Sequence, residues 1–320
     1  MATSDARSRF EHGAERAVRY WLAFWREHAD QPAALTAASG HALRTLDLYS
    51  STGRSLDLAM DLMAALHDSM MFQGQWQVWE TLLRQLLVQA DAAANCEHQM
   101  TLRSALSAIC FRTHRIEESL ALSRRNYHHA VAAGDYPRQA GTAIALAEAY
   151  LNTGAFEQAL ACAEEGVVVA VAHNLPPRQV DGLIDAARSL MGLGELAEAE
   201  RRLRQADALA AAAGMPMYQA KAQLFLGQVL GRGGRWQEAL AHLEMARRLV
   251  TSYGDEVGRA TVQIHLGWAL TQLGRVDEGV DLLEDAVRVH RRHGNRPAER
   301  AAQQRLQELR SLLRLTDITT

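Results

Sequence analysis

Apolar and small side chains return in one fixed order every 40 residues through the middle and end of the chain. The frame is set by Gly154, Gly194, Gly234 and Gly274. Seven positions before each frame residue stands a small side chain, Ser107, Ala147, Ala187, Gly227 or Gly267, usually preceded by leucine (Leu106, Leu146, Leu226, Leu266). Four positions before it come Cys110, Tyr150, Leu190, Leu230 and Leu270. Two positions after it a large apolar residue follows (Trp76, Ile116, Phe156, Leu196, Trp236, Val276), and five after it a small one (Ser119, Ala159, Ala199, Ala239, Gly279). Small residues at fixed places let two helices approach closely, and large ones fill the gaps beside them.

A second mark keeps the same beat. Gly134, Gly214, Gly254 and Gly294 are also 40 apart, and Asn174 takes the remaining slot. Glycine, then asparagine, suits the left-handed residue just past a helix end. Two stops per period leave two helices of roughly 17 residues, each about 25 Å long. The repeating unit is therefore a helix hairpin, and a period of this length predicts an all-α solenoid. Counting backwards, His114 and Gly74 hold the frame position in two degenerate copies.

In chain order, residues 1–13 are polar and are expected to be frayed. Val18, Trp21, Leu22 and Trp25 then mark one stripe of a first helix, ended at Gln31-Pro32. A second helix over 35–49 completes a degenerate capping pair within 1–54. Six hairpins follow over 55–297, at 55–93, 96–133, 136–173, 177–213, 217–253 and 257–293. A last helix over 298–315 has Leu306, Leu309, Leu312 and Leu313 on one face and a polar opposite face. It suits a closing cap within 298–320. That makes about 14–15 helices. All six prolines fall in these turns or at first helical positions, where a missing N–H costs nothing.

Composition narrows the function classes. A hydrophobic fraction of 48% supports a continuous core, and aromatics at 6% suit narrow helix–helix gaps filled by alanine and leucine. A net charge of −3 argues against a dedicated nucleic-acid binder. Uncharged apolar runs such as 166–172 are too short to span a bilayer, so no membrane partner is expected. Three cysteines without metal-type spacing, and a first stretch lacking a signal-peptide core, point to the cytoplasm.

The hairpin pattern resembles the tetratricopeptide repeat in its longer version of about 40 residues, most fully over 136–293. Phe72-Gln73-Gly74-Gln75-Trp76 and the repeat ends Gly134-Asp135 and Gly254-Asp255 also resemble the C-terminal arms of bacterial STAND-type signalling ATPases and LuxR-type regulators. In those proteins the arm receives a signal and the ATPase executes. These 320 residues carry no GxxxxGK[ST] loop; Gly231-Arg232-Gly233-Gly234-Arg235 lacks the Lys-Ser/Thr pair. An arm without its engine is the expectation.

The resemblance implies a right-handed superhelix whose first helix of each pair lines a concave groove, where ligands bind. The implied lining lies 13, 10, 6, 3 and 2 positions before each frame residue. It includes Asp61, Asp68, Phe72, Thr101, Ser104, Phe111, Arg112, Ile144, Glu148, Asn152, Asp181, Ile184, Arg188, Lys221, Leu224, Gln228, Arg232, Ile264, Trp268 and Gln272. Phe72, Phe111 and Trp268 among charged and amide neighbours are the composition of a peptide-binding surface; lateral packing on the next repeat is the other reading of such aromatics. Asp61, Asp68 and Glu148 lie toward the first half and Arg188, Lys221 and Arg232 toward the second, a polarity that could orient an extended partner. Ordinary solvated charges give the same list. The Lys and Asn clamp of chaperone-tail receptors is not matched.

Other chemistry is thin. His128 and His129 point apart on a helix, and His290 with His293 ends one, where cations suit the dipole. No nucleophile–base set and no group of metal ligands converges, so neither catalysis, cofactor nor metal is expected. The expected function is a scaffold or adaptor that binds a protein or peptide partner, in bacterial regulation or signalling. A sensor whose groove takes a small ligand and relays it to a separate effector is the alternative. A second copy of the chain is a further candidate partner.

Overall fold

The computed structural model describes the backbone of residues 2–29, 31–73 and 76–318, and the side chains of these except 2–5, 32, 33, 68, 71–73, 112 and 312–318. The described residues form fifteen helices. They are α1 (Ala2–Glu27), α2 (Pro32–Ser50), α3 (Leu56–Gln73), α4 (Trp76–Ala92), α5 (Cys96–Arg112), α6 (Ile116–Ala133), α7 (Tyr136–Thr153) and α8 (Phe156–Ala172). Then follow α9 (Pro176–Leu193), α10 (Leu196–Ala212), α11 (Pro216–Arg232), α12 (Trp236–Ser252), α13 (Glu256–Gln272), α14 (Val276–Arg292) and α15 (Arg296–Ile318). The fold is an all-α solenoid of helix hairpins.

The periodic stops do what their chemistry requires. Gly134, Gly154, Gly194, Gly214, Gly234, Gly254, Gly274 and Gly294 all have positive φ, and so do His114 and Asn174. Ala94, at φ 50°, keeps the same beat. At each frame turn the N–H one residue past the stop returns to the carbonyl four residues before it: Arg115 to Cys110 at 2.8 Å, Glu195 to Leu190, Arg235 to Leu230 and Arg275 to Leu270 at 2.9 Å. This is the six-to-one bond that closes a helix on a left-handed residue. Gly74 lies outside the described residues.

The aspartates that follow the second glycine have a local role. Asp135 accepts from the Arg138 N–H at 3.1 Å and Asp255 from the Gly258 N–H at 2.7 Å, with Asn95 capping α5 in the same way. Each satisfies an orphan donor at the start of an odd-numbered helix.

The small residues seven before and five after the frame face one another across the α5–α6, α11–α12 and α13–α14 hairpins. Ser107 donates to the Ser119 carbonyl at 3.0 Å and Ser119 to the Ser107 carbonyl at 2.9 Å, so these hydroxyls are satisfied within the contact. In the last hairpin both positions are glycine, and a Cβ on Gly267 would lie 2.8 Å from the Gly279 carbonyl oxygen.

The N-terminal stretch differs from its sequence expectation: it is helical from Ala2. Its charges lie along the helix and pair, Arg7 with Glu11 at 3.0 Å and Arg19 with Glu15 at 2.9 Å. Arg54 then reaches both acids, Glu15 at 2.8 Å and Glu11 at 3.4 Å. A polar run is here one wet face of a helix rather than a loose end. α15 likewise begins at Arg296 and runs to Ile318.

The chain divides into two compact units, Met1–His129 and Ala130–Thr320. The core of the first is built on Leu46, Leu62, Met63, Leu66, Met70, Trp79, Leu83 and Leu86, with the Trp21 indole N–H donating to Thr45 at 3.0 Å. In the second, α9 packs on α7, α8, α10 and α11, and α13 on α11, α12, α14 and α15. The odd-numbered helices α7, α9, α11, α13 and α15 thus touch in an unbroken row. Among the described residues the even-numbered helices of this unit make no comparable contact with one another. Stacked hairpins whose first helices touch and whose second helices splay are curved, with the odd row on the inner side.

Candidate partner-binding face

Within the second unit the inner row is knitted by a repeating rung. The side chain six before the frame residue of one odd helix meets the side chain nine before the frame residue of the next. Arg188 lies over the Phe225 ring, 5.3 Å from its centroid. Gln228 Nε2 is 3.3 Å from His265 Nε2. Arg305 lies over the Trp268 indole at 4.4 Å. In the same register the charge of Glu148 acts on Asp185. At these rungs a side chain meets one 37 positions on, while other links of the row span 40 or 41.

Two further links hold the row. Lys221 Nζ pairs with Asp181 at 2.9 Å, and Arg232 Nη1 donates to the Met191 carbonyl at 3.0 Å. Asp185 is buried and pairs with Arg188 at 2.9 Å. Burial raises the Asp185 pKa, against the pull of Arg188 and Lys221, and the charge of Glu148 adds to the rise. Burial pushes the His265 pKa down to about 4, with Arg305 and Arg232 acting the same way, so its imidazole is neutral at pH 7.

Of the sequence-derived lining residues, Glu148, Asn152, Arg232 and Gln272 are exposed, and Arg188, Lys221, Gln228 and Trp268 are half-buried in the rungs. Trp268 packs laterally against α15. Arg188 and Lys221 are neutralised by aspartates of the same row, which removes much of the polarity read from sequence. The isoleucines ten before the frame residue (Ile144, Ile184, Ile264) are buried rather than open to a partner, Ile144 lying close against Gly166 of its own hairpin. Phe111 is half-buried on α5 of the first unit, where Asp61, Thr101 and Ser104 are exposed or nearly so. The side chains of Asp68, Phe72 and Arg112 lie outside the described residues.

Sequence reasoning passed over Asp185, Phe225, His265 and Arg305. All lie nine before the frame position, α15 being counted as one more repeat. The signal that could have found them is the 37-residue pairing of polar or aromatic residues with charged ones.

Hairpins of this length, stacked through their first helices, carry a family signature. Tetratricopeptide-repeat models match residues 218–292, and residues 140–165 and 181–205. These residues carry tetratricopeptide repeats. The fold of the chain is similar to that of aspartyl phosphate phosphatase F from Bacillus subtilis (12% identity, TM-score 0.60, 97% of this chain and 95% of that one). It is also similar to a Rap protein complexed with competence and sporulation factor (12% identity, TM-score 0.55, 93% and 99%). A third is a STAND protein with a tetratricopeptide repeat sensor from Pyrococcus horikoshii (13% identity, TM-score 0.57). There the match covers 92% of this chain but 42% of the other. At such identities the likeness is one of fold. No curated protein matches the chain in sequence. Among the described residues no helix is long and apolar enough to cross a membrane, and no group of three metal-ligating side chains is gathered.

Proposed function

We propose that the chain is a non-catalytic tetratricopeptide scaffold that holds a protein or peptide segment along the inner row of α7, α9, α11, α13 and α15, in bacterial regulation or signalling. The carrying observation is that this row presents a succession of charged, amide and aromatic side chains, Glu148, Asn152, Arg188, Lys221, Gln228, Arg232, Trp268 and Gln272, from four consecutive helices. An extended segment can meet side chains from several repeats at once. The Rap protein crystallised with competence and sporulation factor supports the reading by analogy of fold. In the first unit the equivalent positions, Phe111 among them, belong to the same reading. Residues 1–54 and 298–320 are read as caps on the six hairpins of 55–297.

The test is affinity capture from the native cytosol, followed by the same capture with Trp268→Ala combined with Arg232→Ala. The double variant is expected to retain its helicity and to lose most of the captured partner. Undiminished capture of that partner by a folded double variant removes the inner row as the binding face.

A further inference from the structure

Five cations lie two to thirteen positions before the frame in the odd helices of the second unit, and four are already spoken for. Arg188 pairs with Asp185, Lys221 with Asp181 and Arg305 with Glu308, each at 2.9 Å, and Arg310 with Glu284 at 3.0 Å. Arg232 is different. Among the described residues no carboxylate lies within ion-pair distance of it, and its one protein partner is the Met191 carbonyl, 3.0 Å from Nη1. That bond fixes the guanidinium between α9 and α11, while the side chain stays exposed and the rest of its five-donor fork is open to a ligand.

The surroundings say what kind of ligand. His265, on the neighbouring α13, feels the positive charge of both Arg232 and Arg305, so the local field is positive without a second unpaired cation. Gln228, beside His265, adds a neutral amide. Trp268 stands on the same helix as His265, its indole pinned by Arg305 at 4.4 Å, and offers a flat apolar wall. A single free guanidinium matches a planar carboxylate through two parallel hydrogen bonds. A polyanion fits badly, because Glu148, Asp181, Asp185 and Glu308 stand along the same row and would repel a run of phosphates.

We propose that Arg232 seats one isolated carboxylate of a bound peptide segment, with an apolar side chain of that segment lying against Trp268. The inference rests on the inner-row reading above and supplies the chemistry of the partner. The carboxylate is that of an aspartate or glutamate side chain or of a peptide C-terminus.

The probe is a library of random dodecapeptides displayed on phage with free C-termini, selected against the intact protein. Enriched sequences are then synthesised as free acids and as amides. The expected consensus places one carboxylate next to an apolar or aromatic residue. Arg232→Gln, which keeps a donor for the Met191 carbonyl, is expected to weaken the consensus peptide roughly tenfold to a hundredfold, the loss typical of a charge-assisted hydrogen bond. Replacing the peptide carboxylate by its amide should cost the same, and the two changes together no more than either alone. The amidated copy separates a terminal from a side-chain carboxylate. Enriched peptides without an acid, or losses that add, overturn the carboxylate seat and leave the inner row as a peptide-binding face. Failure to enrich any peptide against the folded protein overturns both.

Discussion

The turn residues carry a conformational demand that contacts do not explain. Gly234 has φ +76°, yet a Cβ built on it meets no atom within 4 Å. Crowding of the inter-helix turn, a natural guess from its place in the repeat, is therefore not the constraint; the backbone angle is. A residue with a Cβ costs roughly 1–2 kcal/mol in the left-handed region, least for asparagine and most for a β-branched side chain. Gly234→Val should thus lower the unfolding free energy by about that amount or more, and Gly234→Asn by clearly less. Asn174 and His114 hold equivalent left-handed positions without glycine, which is why the gradation is expected. Chemical denaturation of both variants checks it, and equal losses for valine and asparagine would contradict the backbone account.

At the scale of the helix pair, glycine acts through space instead. Gly279 lies on α14, not in a turn, and a Cβ there would sit 2.6 Å from the Gly267 carbonyl oxygen, closer than any real contact allows. Gly279→Ala should force α13 and α14 apart and cost about 1–3 kcal/mol, the usual effect of overpacking. Asparagine should give no relief at this position, unlike at Gly234. A Gly279→Ala protein as stable as wild type in urea would show that the hairpin tolerates a wider gap. The two kinds of glycine mark how far the sequence could be read. Stops and close approaches recur at fixed offsets because each depends on one or two residues, so the helix ends at Gly134, Gly154, Gly194, Gly214, Gly234, Gly254, Gly274 and Gly294 were legible. Ala94 escaped notice because alanine carries no sign of a left-handed angle. The inner face was harder. Whether Ile184 is open or covered depends on how its helix packs against all its neighbours, which a repeat offset alone does not supply. Arg232 could be named from its place in the repeat, but that Arg188 and Lys221 already have aspartate partners could not.

Across the second unit as a whole, burial has trapped three histidines in their neutral form. His242, His265 and His290 all have pKa values lowered first by burial; Asp207 opposes the shift at His242, and Arg305 and Arg232 reinforce it at His265. A base whose pKa is lower folded than unfolded contributes stability above its unfolded pKa, near 6.5, and loses it as the pH falls from there. Below that point the unfolded chain binds protons that the fold refuses, at up to about 1.4 kcal/mol per pH unit for each group. Carboxylates held below their ordinary range by arginine, such as Glu80 and Glu198, stay ionised in this window and do not change it. Asp185 works the other way, since acid relieves a buried carboxylate whose pKa is raised. That relief sets in below its raised folded-state pKa and comes from one group, set against three histidines. The three histidines should therefore dominate, and the second unit should lose stability on going from pH 7 to pH 5. Amide hydrogen exchange over α11–α15 at the two pH values, corrected for the intrinsic rate, measures this. Replacing the half-buried His242 and His265 by glutamine should flatten the dependence, because a neutral amide keeps the polar contact to Gln223 or Gln228 but takes up no proton. A pH slope unaltered in that double variant would place the acid sensitivity elsewhere in the solenoid.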